Sequence, residues 1–261
     1  MKIHKIKGYI NSVFIAEYDH GLLLMDGGSP ADVELIEDFC KNTLKRDVGE
    51  FMLSVVSHMH PDHSGAAPIL RKKYGIKIAA FHNIDRWYSG PSGWLQHKLD
   101  CFMAQIVAWR NKTKIRKVFS QRITSPDFLL KDGQQLPFFN DWSVIHTPGH
   151  TSHDIALFNE KERLLYCGDS IINIKNRFYL PLPVIFKNKM RNSYKKLGTL
   201  DVKTILLPHG NDITTDNCKE IFKCMERLLE EPPNRIRRRV HIFSVWSPDI
   251  WKPSIKKFLF T

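Results

Sequence analysis

The stretch SHMHPDHSG, at residues 57–65, contains four side chains that can ligate a metal ion. His58 and His60 lie two residues apart, and such residues point to the same side of an extended chain, so both imidazoles can face one cation. The proline that follows turns the chain, because its ring fixes φ. Asp62 and His63 therefore emerge at a helix start and can face a different point. This single loop can serve two metal ions.

The ligand atoms of this loop favour a borderline divalent cation. Imidazole nitrogens and a carboxylate, with no thiolate, suit Zn²⁺, and Mn²⁺ or Fe are alternatives. The five cysteines are scattered without a CxxC pattern, so we expect reduced thiols in a cytoplasmic protein rather than disulfides or a zinc knuckle.

Three further ligand candidates lie where a predicted strand gives way to a glycine-containing loop. They are His150 in HTPGHTSHD after strand 142–146, Asp169 in YCGDS after strand 164–166, and His209 in LLPHG after strand 204–207. A fold that gathers strand ends at one edge would bring these residues to the loop at 57–65.

The pattern of apolar residues predicts strands and helices in alternation. Strand 51–56, helix 64–74 and strand 76–80 form a unit that implies parallel pairing. Further strands are predicted at 13–17, 21–25, 118–123, 128–130 and 155–158, and further helices at 30–44, 92–109, 188–197 and 216–230. We therefore expect sheets in the middle and helices outside.

The predicted helix at 92–109 carries apolar residues at helical spacing, namely Leu95, Leu99, Phe102, Met103, Ile106 and Val107. We interpret this stripe as facing the core. The alternative is a lid or substrate wall, because the segment is rich in Trp, Phe and Met.

The string HxHxDH at 58–63, followed in order by a single His, Asp and His, resembles the metallo-β-lactamase superfamily, in particular its glyoxalase-II-like and lactonase-like members. The resemblance implies an α/β fold, an αβ/βα sandwich of two mixed β-sheets flanked by helices. We expect one such domain over 1–261, with a helical insertion at about 83–116 and a basic, aromatic C-terminal extension at about 232–261.

The resemblance also implies a binuclear centre of two divalent ions. His58, His60 and His150 would hold the first ion, Asp62, His63 and His209 the second, and Asp169 would bridge both. Asp62 is in addition the candidate catalytic residue. The turn at Asp26 would support the metal-binding loop at 57–65 by contacting the ligand residues rather than the ions. At His153, where glycine is frequent in the family, the side chain could contact substrate or a ligand, but we favour a surface position or a supporting role next to the metal ligands.

The function implied is a metal-dependent hydrolase that uses a bridging hydroxide on the binuclear centre. An ester, thioester or lactone is the preferred substrate, since the apolar stripe at 95–107 could cover an acyl chain of a small-molecule substrate. A phosphodiesterase or nuclease is one alternative, and a mononuclear iron redox enzyme of the same fold is another.

The net charge of +12 arises from 39 basic and 27 acidic residues and is concentrated at 109–122 and 232–261. Such stretches attract nucleic acid or an anionic membrane surface, although a solvated surface is the simpler interpretation. The aromatic residues and lysines of the C-terminal segment also suit packing against the domain or against a second subunit of a homo-oligomer. No run of 18 apolar residues and no secretory signal is recognised, so we expect a cytoplasmic location.

Overall fold

The computed structural model describes residues 1–111, 116–122 and 124–250. Its strands are β1 (Lys2–Lys7), β2 (Ser12–Tyr18), β3 (Gly21–Leu24), β4 (Phe51–Val56), β5 (Lys77–Phe81), β6 (Phe128–Leu130), β7 (Gln135–Leu136), β8 (Phe139–His146), β9 (Ile155–Asn159), β10 (Leu164–Tyr166), β11 (Ile172–Ile174), β12 (Arg177–Tyr179), β13 (Thr204–Leu206) and β14 (Ile213–Thr214). Its helices are α1 (Val33–Asp38), α2 (Pro61–Ser64), α3 (Ala67–Tyr74), α4 (Gly90–Asn111), α5 (Lys187–Leu197), α6 (Cys218–Glu230) and α7 (Arg235–Phe243).

Two six-stranded sheets face each other, in the orders β1-β2-β3-β4-β5-β6 and β14-β13-β10-β9-β8-β7. Apolar side chains from both sheets fill the space between them, among them Leu53 of β4 and Trp142 of β8. Helices α1 and α3 pack on the outer face of the first sheet, and α5 and α6 on that of the second. The predicted αβ/βα sandwich is therefore confirmed.

The pairing of strands brings the sequence-predicted loops to one edge. Strand β4 is parallel to β3 and β5, and β10 is parallel to β13, so the loops after these strands emerge together. Backbone hydrogen bonds join the two sheets at this edge, from Ile155 to Ser57 and from Ser12 to Pro208. The metal loop thus rests on both sheets.

Several local predictions needed correction. The helix expected at 30–44 is a tight turn at 30–32, then α1, then a wider helical turn at 39–44 that ends at Lys45 with φ of 57°. Residues 118–122 of the expected strand 118–123 are irregular, and residue 123 lies outside the described residues. Helix α7 was not predicted, because it begins one residue after Pro232 and Pro233, and two consecutive prolines indicate the end of helical structure.

Helix α4 forms over the predicted segment, but its predicted core-facing stripe is wrong. Leu95, Phe102 and Val107 are exposed, whereas the polar side chains Gln96 and Asp100 are buried. The inversion has a physical reason: the buried carboxylate of Asp100 accepts hydrogen bonds from Gln96 and from Tyr88, which offset part of the cost of its burial. The helix covers a polar site with these residues, while Ala104 and Ala108 pack in a small apolar cluster.

The cysteines are all free in the structure, four of them buried, as expected for reduced thiols. Among the described residues, no helix combines the length and the apolar character needed to cross a bilayer.

Candidate metal centre

The first ligand group consists of three buried imidazoles. His60 Nδ1 lies 3.1 Å from His58 Nε2 and 2.8 Å from His150 Nε2. Asp169 Oδ2 lies beside this group, at 3.9 Å from His58 Nε2 and 3.6 Å from His150 Nε2. Three imidazole nitrogens thus converge closely enough to hold one ion, with a carboxylate oxygen nearby, and such donors suit Zn²⁺.

The second group lies beside it and combines imidazoles with carboxylates. His63 Nε2 is 3.3 Å from His209 Nε2, and Asp62 Oδ2 is 3.4 Å from the same His209 nitrogen. Asp169 Oδ1 lies 3.2 Å from His63 Nε2 and 3.4 Å from His209 Nε2. Three of these residues, Asp62, His63 and His209, form a group that could hold an ion of its own.

Asp169 stands between the two groups and offers one oxygen to each. It follows Gly168, whose φ of +49° is the left-handed conformation that glycine adopts at least cost and that directs the chain into the site. Its Oδ1 is buried and accepts no hydrogen bond from the described residues. A buried carboxylate oxygen without a donor is costly, and a cation at this point would satisfy it.

The ring nitrogens on the far side of these histidines are held by protein acceptors. His63 Nδ1 pairs with Asp26 Oδ2 at 2.6 Å, His150 Nδ1 with the carbonyl oxygen of Pro183 at 2.6 Å, and His58 Nδ1 with Ser57 Oγ at 3.1 Å. For His58 and His150, whose rings are neutral, the pairing places the proton away from the centre and leaves Nε2 with a lone pair that points into it. A metal ion at the centre would accept these lone pairs.

Asp26 organises the metal loop, as the sequence predicted for this turn. Its carboxylate accepts hydrogen bonds from His63, from the hydroxyl and backbone of Ser57, from Tyr166 and from the backbone of Gly27. Five donors on one buried carboxylate fix the position of the second ligand group before any ion binds.

The first ligand group is electrostatically prepared for metal. Burial lowers the pKa of His58 and His150, and it lowers the pKa of His60 to about 4. These imidazoles are therefore neutral at physiological pH, which is the form that ligates.

The second group holds an excess of buried negative charge. Burial lowers the pKa of His63 and His209, but the neighbouring carboxylates, Asp169 foremost among them, together outweigh it, so that the pKa of both is raised. Burial would raise the pKa of Asp62, yet His63 and His209 bring it down to about 2. The carboxylates thus attract positive charge to this point, which a divalent ion would supply in place of protons.

His153 is buried, so of the two favoured interpretations the surface position was wrong and the supporting role agrees with the structure. Its Nε2 accepts a hydrogen bond from the backbone N–H of Met59 at 3.1 Å, between the two first ligands of the loop. Asp154 next to it accepts hydrogen bonds from the backbone of Gly149 and Thr151 on either side of His150. Both residues brace the loops that carry the ligands.

Sequence reasoning missed Asp100 of α4. Its Oδ2 lies 3.7 Å from His60 Nε2, the ring nitrogen that faces away from the other ligands. Burial raises the pKa of Asp100 to about 7. The signal was present as Gln96 and Asp100, four residues apart on the face opposite the apolar stripe.

A cavity of about 230 Å³ opens directly above the centre. Its floor is polar and includes His60, Asp62, Asp169 and His209. The walls are mostly apolar, with Ile10, Met103, Val107, Ile172, Leu182 and Val240 contributed by loops and by α4 and α7. The α4 residues Met103 and Val107 are therefore wall residues, as the alternative interpretation of the apolar stripe expected.

Comparison with known proteins agrees with this geometry. The family model of the metallo-beta-lactamase superfamily matches residues 6–209. The probable metallo-hydrolase YflN of Bacillus subtilis is 25% identical over 82% of this chain and 86% of its own. A hydroxyacylglutathione hydrolase of Francisella tularensis is 30% identical, but over only 26% of this chain and 28% of its own.

Solved structures share the fold. The metallo-beta-lactamase superfamily protein ST1585 of Sulfolobus tokodaii superposes with a TM-score of 0.63 and 16% identity, covering 95% of this chain and 96% of that chain. The metallo-beta-lactamase family protein TTHA1429 of Thermus thermophilus gives the same TM-score of 0.63 at 19% identity, covering 87% of this chain and 78% of that one.

Proposed function

The chain belongs to the metallo-beta-lactamase superfamily, and on that premise we propose that it is a binuclear metallohydrolase that cleaves an ester, thioester or lactone with an apolar acyl group. Two divalent ions, Zn²⁺ in the first instance, would be held by His58, His60 and His150 on one side, by Asp62, His63 and His209 on the other, and by Asp169 between them. When bound, such ions lower the pKa of a water molecule so that hydroxide is available near neutral pH.

The position of Asp169 is the observation that carries the proposal. Its two oxygens face two different ligand groups, at 3.2 Å from His63 on one side and 3.6 Å from His150 on the other. A single-ion site would need only one of these groups. The buried, hydrogen-bond-free Oδ1 adds support for a cation on the side of the second group.

The polar floor of the cavity also supplies a group that can orient the attacking water. Asp62 lines the cavity and, with a pKa of about 2, is ionised at neutral pH. Its carboxylate can accept a hydrogen bond from the attacking water and orient it, and Asn11 holds the backbone of Asp62 in place at 2.7 Å.

The apolar walls support the acyl substrate. Met103, Val107 and Val240 would enclose a hydrocarbon group and exclude bulk water from the reacting carbonyl. The Francisella relative is named for hydrolysis of hydroxyacylglutathione, an acyl thioester, which is consistent with this substrate class.

Elemental analysis of the purified protein, combined with a panel of p-nitrophenyl esters, thioesters, lactones and bis-p-nitrophenyl phosphate, tests the proposal. We expect two divalent ions per chain and acyl hydrolysis that is lost on chelation and restored by Zn²⁺. The matched control is Asp132→Asn, an exposed carboxylate paired with Lys196, which should hydrolyse like the wild type. Normal hydrolysis by the metal-depleted protein would contradict the mechanism, and cleavage of the phosphodiester alone would contradict the substrate class.

A further inference from the structure

The outer face of α4 displays an apolar stripe to solvent. Leu95, Leu99, Phe102, Ile106 and Trp109 follow at alternating intervals of four and three residues, so they lie on one side of the helix. Phe102 is 54% exposed and Trp109 is 52% exposed. Trp94 at the start of the helix is 53% exposed. A soluble surface seldom carries so many large apolar side chains together, and such a patch marks a contact site.

Helix α7 lies beside α4 and is also exposed. None of its residues is buried, and Ile236 and Ile242 are more than 60% exposed. Its last turn lies against α4, where Gln96 donates a hydrogen bond to the carbonyl oxygen of Phe243 at 3.1 Å. We call the exposed residues of α4 and α7 the helical face.

The charge of the helical face is entirely positive. The single acidic residue of α4, Asp100, is buried, and α7 contains none. The cations are Lys98 and Arg110 of α4 and Arg235, Arg237, Arg238 and Arg239 of α7. The Lys98 ammonium lies 5.8 Å from the ring of Trp94 and 5.9 Å from that of Phe119, so cations and aromatic rings are interleaved.

We propose that the helical face docks onto an anionic lipid bilayer surface. Aromatic and aliphatic side chains would enter the boundary between headgroups and acyl chains, while the lysine and arginines bind lipid headgroup anions. This combination of Trp, Phe and Leu with Lys and Arg, and with no exposed acid, is complementary to such a surface in both polarity and charge.

Two other occupants fit the helical face less well. In a symmetric dimer the same face would meet itself, which would bring cations against cations with no exposed acid on either helix to pair with them. A nucleic acid would find the cations and rings useful, but Leu95, Ile236 and Ile242 would neither stack on bases nor bind phosphate. Acyl chains accommodate all of these side chains.

The docking surface adjoins the mouth of the cavity. Met103 and Val107 of α4 and Val240 and Ser244, in and after α7, line the cavity, so both helices of the docking surface also form its walls. Docking would therefore bring the cavity close to acyl compounds in the bilayer. This consequence rests on the proposed function, whereas docking itself does not.

Flotation of the full-length protein with vesicles tests the proposal. One set consists of phosphatidylcholine with about one third phosphatidylglycerol, and the other of phosphatidylcholine alone. We expect the protein to float with the anionic vesicles at low salt, and each neutralised cation, as in Lys98→Gln or Arg239→Gln, to weaken partitioning by roughly fivefold.

The triple variant Trp94→Ala/Phe102→Ala/Trp109→Ala removes the exposed rings of α4. We expect it to lose at least about tenfold in partitioning while its unfolding midpoint stays that of the wild type, because exposed side chains contribute little to stability. The matched control Leu129→Ala/Phe138→Ala removes two exposed apolar side chains that lie on neither helix, and it should bind like the wild type.

Several results would overturn the proposal. These are absence of wild-type binding to anionic vesicles at low salt, equal binding by the triple variant, and a dimer in gel filtration that the triple variant dissociates. Preferential binding of single-stranded polynucleotide over vesicles would equally reject it. None of these outcomes depends on hydrolysis, so failure of docking and failure of the proposed function remain distinguishable.

Discussion

The polar region beneath the cavity and the outer face of helix α4 above it are built in opposite ways. On the floor, polar side chains are buried, and nearly all have a partner, as Asp26 shows with its five donors. On the outer face of α4, apolar side chains such as Phe102 and Trp109 are exposed and contact solvent. The floor holds its polar groups in place by hydrogen bonds within the protein, whereas the outer face of α4 exposes apolar side chains to water. The two proposals above assign metal ions to the first region and a lipid surface to the second.

Among the variants proposed to test this contrast, Asp169→Asn should have the largest effect. The amide cannot place two negatively charged oxygens between the ligand groups, so we expect loss of at least one ion and a fall in kcat/KM of about 10³-fold or more, or about 4 kcal/mol. Metal content and acyl hydrolysis are measured together, with Asp132→Asn as the control. A variant that keeps two ions and full activity would show that the Asp169 carboxylate is not needed between the two ligand groups.

Asp26→Ala tests how far the floor is prepared by hydrogen bonds alone. Removing the carboxylate leaves His63, Ser57 and Tyr166 buried without their partner, and we expect the free energy of unfolding to fall by about 3–5 kcal/mol. Urea unfolding of the metal-free protein gives this value. Asp201→Ala, which breaks an exposed pair with Arg163, should change it by less than about 0.5 kcal/mol. Equal effects of the two variants would show that the floor is not preorganised.

Asp100→Asn tests whether the inner side of α4 belongs to the floor. The carboxylate lies 3.7 Å from His60 Nε2, and replacing it should weaken binding of the first ion by about 10- to 100-fold. Competition with a chromophoric chelator measures this affinity. Tyr88→Phe, which removes one hydrogen bond to the same carboxylate, should have a smaller effect in the same direction. Unchanged zinc affinity in Asp100→Asn would show that α4 contributes only to the cavity wall and does not influence the metal ligands.

Val107→Ala gives the smallest expected effect and concerns the wall alone. Removing two methyl groups from the cavity should raise KM for p-nitrophenyl esters of long acyl chains by several fold, since each buried methylene contributes about 0.8 kcal/mol. The KM for the acetate ester should not change. A uniform change for all chain lengths would mean that the acyl group does not lie along α4.

The candidate metal ligands were predictable because four of them lie within one short stretch of sequence. The spacing of His58, His60, Asp62 and His63 defines two directions from one loop, and the other three ligands each follow a strand. The structure brings all seven residues together in three overlapping triads of possible ligands, and Asp169 joins His58 and His63 in the one that links the other two. Parallel pairing of β10 with β13 explains how ligands 40 residues apart in sequence reach one edge.

The orientation of α4 was not predictable from the periodicity of its apolar residues. An apolar stripe at helical spacing predicts which side chains share a face, and for α4 this holds for Leu95, Leu99, Phe102 and Ile106, whereas Met103 and Val107 line the cavity. It does not indicate whether the face meets the core or an external partner, because both favour the same residues. The burial of Asp100 depends on Tyr88 and Gln96, and only the first of these is distant enough to require the tertiary structure.

Anomalous diffraction at the zinc edge, from crystals of the zinc-loaded protein, tests the central claim most directly. The account predicts two peaks on opposite sides of the Asp169 carboxylate, one beside His58, His60 and His150 and the other beside Asp62, His63 and His209. A single peak, or peaks away from Asp169, would contradict it.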